Sequence, residues 1–150
     1  MTTKKYLPLK IVIISISFVL LFLSLTQNAY YVTGMEESVG SFGLIAFLLG
    51  WLDIFEAGIT WLANPLLIIS WIILLFGKSK FSLILSLLAI LFSFSFLFFK
   101  NIILNEGTLQ HGEIIAYGNG YWLWLSSCGI NFLGNLIVLF KEKKLVLFEN

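Results

Sequence analysis

Residues 42–76 read FGLIAFLLGWLDIFEAGITWLANPLLIISWIILLF, and how often this stretch crosses a bilayer decides the fold. About 35 helical residues would extend about 52 Å, against a hydrocarbon core of about 30 Å. The stretch is therefore broken or doubled, and the positive-inside rule chooses between the two. If it crosses once, with residues 42–57 as an interfacial or re-entrant helix, Lys4, Lys5, Lys10, Lys78, Lys80, Lys141, Lys143 and Lys144 all face the cytoplasm and Lys100 alone lies outside. If it crosses twice, the lysines split four inside and five outside. The single crossing is the better solution.

Working outward, three more apolar runs are long enough to span, and the expected architecture is an all-α membrane protein. It has four transmembrane helices, at about residues 9–26, 58–76, 81–99 and 120–140, plus the interfacial or re-entrant helix at about 42–57. The first run follows Lys4, Lys5 and Lys10; Thr26-Gln27-Asn28-Ala29 puts glutamine three places before the cut, where a signal peptidase needs a small residue, and the run is long enough to cross, so it reads as a retained span. The run FSFSFLFFK at residues 92–100 reads as a lipid-facing helix end. Residues 27–41 and 100–119 read as extramembrane loops, and the whole chain as one domain.

Composition agrees. Apolar residues make up 59% and charged residues 11%, a balance that no soluble domain of this length keeps dispersed in water. The apolar runs do not alternate, which favours helices over a closed barrel. Net charge is +1 and all nine basic residues are lysine, so no nucleic-acid partner is expected. The single Cys128 excludes an internal disulfide and a two-thiol redox cycle, and with it the quinone-linked disulfide oxidoreductases.

No phosphate-cradling glycine loop, Gly-x-Ser-x-Gly elbow, His-Glu-x-x-His or zinc-knuckle pattern occurs, so neither an enzyme nor a cofactor is expected. His111, with Glu106 and Glu113 nearby, lacks the donor number and spacing of a zinc site. An acid-free first span sets aside the small four-helix multidrug exporters, and the absence of arginine sets aside the fluoride channels.

Two helix faces carry small or polar residues at helical spacing: Ser82, Ser86, Ala89 and Ser93 in the third span, and Trp124, Cys128, Asn131 and Asn135 in the fourth. Bundles in lipid are held by close packing of small residues and by interhelical hydrogen bonds, so these faces are expected to meet. Asn131 and Asn135 then either bond across the bundle or line a polar path for a headgroup or solute.

Asp53 and Glu56 share one helical face, which Thr60 and Asn64 continue. Carboxylates within an apolar stretch are costly and mark a candidate site. Three readings stand: water-facing acids in the interface beside anchoring Trp51 and Trp61, a shared-proton or cation site, or a contact for a partner's basic loop. Asn64-Pro65 reads either as a helix cap with proline at the first position, or as a proline kink in a helix that starts near Gly58; the kink gives a long enough span. The candidate binding residues are therefore Asp53, Glu56, Trp61, Asn64, Trp124, Asn131 and Asn135.

Trp61-Leu-Ala-Asn-Pro65 and Gly118-x-Gly120-Tyr-Trp-Leu-Trp-Leu125 resemble elements of small uncharacterised bacterial inner-membrane proteins, across about residues 40–140. The resemblance implies a bacterial inner (cytoplasmic) membrane and no particular activity. The chain is expected to be a non-enzymatic accessory or assembly subunit, with both termini cytoplasmic, contacting membrane lipids and either another membrane protein or a second copy of itself. The alternatives are a small transporter or channel-like protein using Asp53 and Glu56, and a lipid-binding membrane protein.

Overall fold

The computed structural model describes residues 6–33, 41–52, 56–105 and 110–149. In lipid the backbone has no water to bond, and a helix satisfies its N–H and C=O groups within one segment. The four apolar runs obey that constraint. Helix α1, Leu7–Leu25, carries Pro8 in its first turn, where the missing N–H breaks no bond. Strand β1, Tyr30–Val32, and the short helix α2, Gly43–Leu49, follow. A 3-10 helix, Ala57–Leu62, runs directly into α3, Ala63–Leu75. Helix α4, Ser79–Ser95, continues as a 3-10 turn, Phe96–Phe98. Strands β2, Asn101–Asn105, and β3, Gln110–Tyr117, lead into α5, Asn119–Glu149.

The described residues are mostly helical and include four helices long and apolar enough to cross a membrane: Leu7–Leu25, Ala57–Leu75, Ser79–Phe98 and Asn119–Leu145. They match the four expected spans. Between the first two, the helix expected at 42–57 is helical over Gly43–Leu49. The Gly43 N–H donates to the Gln27 carbonyl at 2.9 Å, and the Trp61 indole donates to the Phe47 carbonyl at 2.6 Å. The short helix is thus pinned between the end of α1 and the start of the second span. That span begins at Ala57, beside the expected start near Gly58, and its 3-10 geometry gives way to α geometry at Ala63, two residues before Pro65. Standing in the first turn of α3, it interrupts no α-helical bond.

The segments read as loops contain a three-stranded antiparallel sheet of order β1-β3-β2. Tyr30 stands opposite Tyr117, and Ile102 opposite Gly112. The sheet is tied to the helix ends at one corner, where Gly118 N–H donates to Ala29 O at 2.8 Å and Gly120 N–H to Asn28 O at 3.0 Å. At the opposite end of the bundle α3 turns into α4 through Gly77, whose φ of 79° is a left-handed cap conformation that glycine adopts without strain. The Lys78 N–H then reaches back to Ile73 O at 3.2 Å.

The core sits along two antiparallel seams, α1 with α5 and α3 with α4, joined by α4 against α5. On the first seam Ser17 and Ser127 each donate a hydroxyl proton to the other's backbone carbonyl, at 2.9 and 2.7 Å. On the second, Ser70 and Ser82 do the same at 3.2 and 2.8 Å. At the end away from the sheet, fully buried Lys10 lies 2.8 Å from the Glu142 carboxylate. Gly134 faces Ile13 on the first seam so closely that a Cβ there would collide with the branched end of the isoleucine.

Gly134→Ala is therefore expected to lower the thermal stability of the reconstituted protein by about 1–3 kcal/mol through overpacking, with Ile13→Val restoring part of the loss. Unchanged melting of Gly134→Ala would show that this glycine does not set the helix separation.

Candidate functional site

The polar and aromatic residues anticipated from the sequence fall into two groups, one in the middle of the bundle and one at its sheet end. In the middle, Ser82, Ser86, Ala89 and Ser93 are buried along α4, and Cys128, Asn131 and Asn135 along α5. The two faces pack together: Ala89 and Cys128 belong to one apolar cluster, and the Tyr121 hydroxyl donates to Ser93 O at 3.2 Å. The side-chain hydrogen bonds of the asparagines, however, run elsewhere. Asn131 Nδ2 donates to Ser70 Oγ on α3 at 2.8 Å, and Asn135 Nδ2 returns to Asn131 O at 2.8 Å. The Trp71 indole donates to Ser17 Oγ at 3.2 Å.

At the sheet end Trp61, Asn64 and Trp124 come together. Asn64 is 5% exposed, makes no helix cap, and accepts the Trp124 indole N–H on Oδ1 at 2.8 Å. An indole nitrogen can only donate, so it must face the carboxamide oxygen, and this fixes the orientation of the whole amide. Nδ2 then points away from Trp124 and donates to none of the described residues.

Asn64 and its partner line a cavity of about 270 Å³. Leu21 of α1, Phe47 of α2, Thr60 and Trp61 of the 3-10 helix, Phe96 and Tyr121 contribute to its wall. Phe96, in the run read as lipid-facing, is instead buried, with ring centroids 5.6 Å from Tyr30, 5.8 Å from Tyr117 and 5.5 Å from Tyr121. Phe94 and Phe98 beside it are exposed. Tilted and edge-on ring contacts of this kind make a stiff wall. The Tyr117 hydroxyl donates to Leu97 O at 3.3 Å, and burial raises its phenol pKa from the ordinary value.

Two hydroxyls in the wall have committed their protons. Ser24 donates to Leu21 O at 2.6 Å and Thr60 to Ala57 O at 2.8 Å. They offer lone pairs, and Asn64 offers an uncommitted N–H. No Lys, Asp, Glu or His stands among the described residues of the lining. Glu56 directly precedes Ala57 at the start of the 3-10 helix, Asp53 falls outside the described residues, and Asn131 and Asn135 lie further along α5, beyond the cavity.

Sequence reasoning did not single out Phe47, Phe96 or Tyr121. Tyr121 stands inside the Gly-Tyr-Trp-Leu-Trp element, three residues from Trp124 and so on its face, which was the available signal. No protein-family profile, curated protein or solved structure matches the chain.

The link between Asn131 and Ser70 gives a direct check on the middle group. A double-mutant cycle with Asn131→Ala and Ser70→Ala is expected to return a coupling of about 0.6–1.7 kcal/mol, the range measured for hydrogen bonds between membrane helices. Additive losses would mean that the two side chains do not bond.

Proposed function

We propose that this chain is a non-enzymatic membrane protein that binds a membrane amphiphile in the cavity at the sheet end of its bundle. The observation that carries this reading is the cavity itself: about 270 Å³, walled by aromatic and aliphatic side chains, with a single oriented carboxamide among them. Sites for small apolar ligands are concave, mostly apolar and supplied with a few placed polar groups, and this one follows that pattern.

The proposed setting is a bacterial cytoplasmic membrane with both termini in the cytoplasm. The lysine distribution supports it: Lys78, Lys80, Lys141, Lys143 and Lys144 gather at the end opposite the sheet, and Lys100 lies at the sheet end. The cavity then opens at the outer leaflet. The accessory-subunit reading draws on a different feature. Helix α5 has 31 residues, about 46 Å at 1.5 Å each, and overruns the hydrocarbon core, carrying exposed Lys141 and Lys143 beyond it as a handle for a partner.

The test is extraction into a lipid-retaining polymer followed by mass spectrometry of bound lipid, with wild type beside Ala46→Phe and Leu49→Trp, which fill the cavity from α2. Wild type is expected to enrich one amphiphile over the surrounding membrane, and both variants to lose it while melting normally. A bound fraction identical to bulk lipid, or enrichment that survives both variants, overturns the reading.

A further inference from the structure

The cavity's lining says more than that it is apolar, because its few polar atoms are not equivalent. Trp124 holds Asn64 Oδ1 at 2.8 Å, the Ser24, Thr60 and Tyr121 hydroxyls donate to backbone carbonyls, and the Trp61 indole donates to Phe47 O. Beside these stands the Nδ2 of a residue that is 5% exposed, on the cavity wall and with no acceptor among the described residues. That donor is open to the cavity and has no protein acceptor among the described residues, so an acceptor carried by a ligand would complete it.

The charge of that acceptor is constrained too. A carboxylate or phosphate taken into an apolar cavity requires a cation beside it, and no lysine or histidine stands among the described lining residues. A neutral oxygen has no such requirement, and a carbonyl, which brings no proton of its own to satisfy, fits a lone N–H best.

Resting on the amphiphile-binding reading above, we infer that Asn64 selects its ligand, donating Nδ2–H to a neutral carbonyl oxygen at the head of an apolar chain. Trp124 is the positioning residue that keeps this donor turned inward. The cavity's volume of about 270 Å³ suits one chain or ring with its carbonyl. That chemistry has two membrane sources, the ester of a single-chain acylglycerol and the ring carbonyl of a quinone, both of which the aromatic wall accommodates.

Binding is measured by quenching of tryptophan fluorescence in nanodiscs, since Trp61 and Trp124 line the site. The probes are a brominated monoacylglycerol ester, its ether analogue lacking the carbonyl, and a short-tailed benzoquinone beside the matching arene. Wild type is expected to prefer a carbonyl probe over its analogue by fivefold or more. Asn64→Leu is expected to reduce that preference to about one while still binding the ether or arene, and Trp124→Phe, which retains the amide but frees it to turn, to weaken the preference two- to threefold. The Trp124→Phe titration relies on Trp61 as reporter. Preference confined to the ester pair or to the quinone pair supports the inference and assigns the source. Equal binding of carbonyl probes and analogues by wild type overturns it while leaving the cavity reading intact. Binding of none of the four probes overturns both.

Discussion

Two reciprocal serine pairs hold this bundle in register. In lipid no hydrophobic drive pushes helices together, so alignment falls to short-range packing and to hydrogen bonds that have no competing water. Ser17 with Ser127 and Ser70 with Ser82 each join antiparallel neighbours by hydroxyl-to-carbonyl bonds in both directions. Once a hydroxyl has spent its proton, its lone pairs remain available. Trp71 of α3 uses those of Ser17, and Asn131 of α5 uses those of Ser70. Each pair is thereby tied to a helix of the other seam, and all four spans are linked at mid-depth.

The register of that centre determines what happens at the sheet end. With Ser127 fixed against Ser17, the start of α5 is carried to the end of α1, where Gly118 and Gly120 bond to Ala29 and Asn28. That corner places β3 beside β1 and turns the ring of Tyr121 against Phe96, with centroids 5.5 Å apart. Trp124, one turn further into α5, meets Asn64 on α3. The cavity is the space left where these rings, the 3-10 helix and α2 fail to close completely. It lies at the end where backbone geometry is least regular, as expected if binding groups are drawn from segments that a rigid scaffold holds in place.

The spans were legible in the sequence because a bilayer imposes a length and a composition that nothing else in the chain satisfies. The buried faces were legible for a related reason: Ser82, Ser86, Ala89 and Ser93 keep helical spacing, and helical spacing survives whatever the partner is. The partner was not legible. Ser82 bonds Ser70, and nothing local distinguishes α3 from α5 as its neighbour. The sheet was hidden in the same way. Its strands are short, β1 pairs residue 30 with residue 117, and the available hint was the β-branched Ile102-Ile103 and Ile114-Ile115 on either side of Gly107. Of the candidate site, Trp61, Asn64 and Trp124 were legible as polar or aromatic exceptions in apolar helices. The aromatic wall that makes them a cavity was not, because its members come from separate elements.

Lys10 shows how structure alters the weight of a sequence signal. It entered the topology argument as an orienting charge, yet it is fully buried and its ammonium lies 2.8 Å from Glu142. An ion pair buried in this way contributes little net stability, but either partner alone would leave a costly uncompensated charge. A neutralised lysine also carries less orienting force than an exposed one. Setting Lys10 aside, a single crossing of residues 42–76 still places seven lysines on one side and one on the other, whereas a double crossing places three and five. The preference therefore does not depend on Lys10. What Lys10 contributes instead is closure: together with Gly134 against Ile13, its pair with Glu142 seals the α1–α5 seam at the end remote from the cavity. A bundle joined at that end and at mid-depth leaves the cavity at its sheet end, which is where a ligand of the proposed kind would enter.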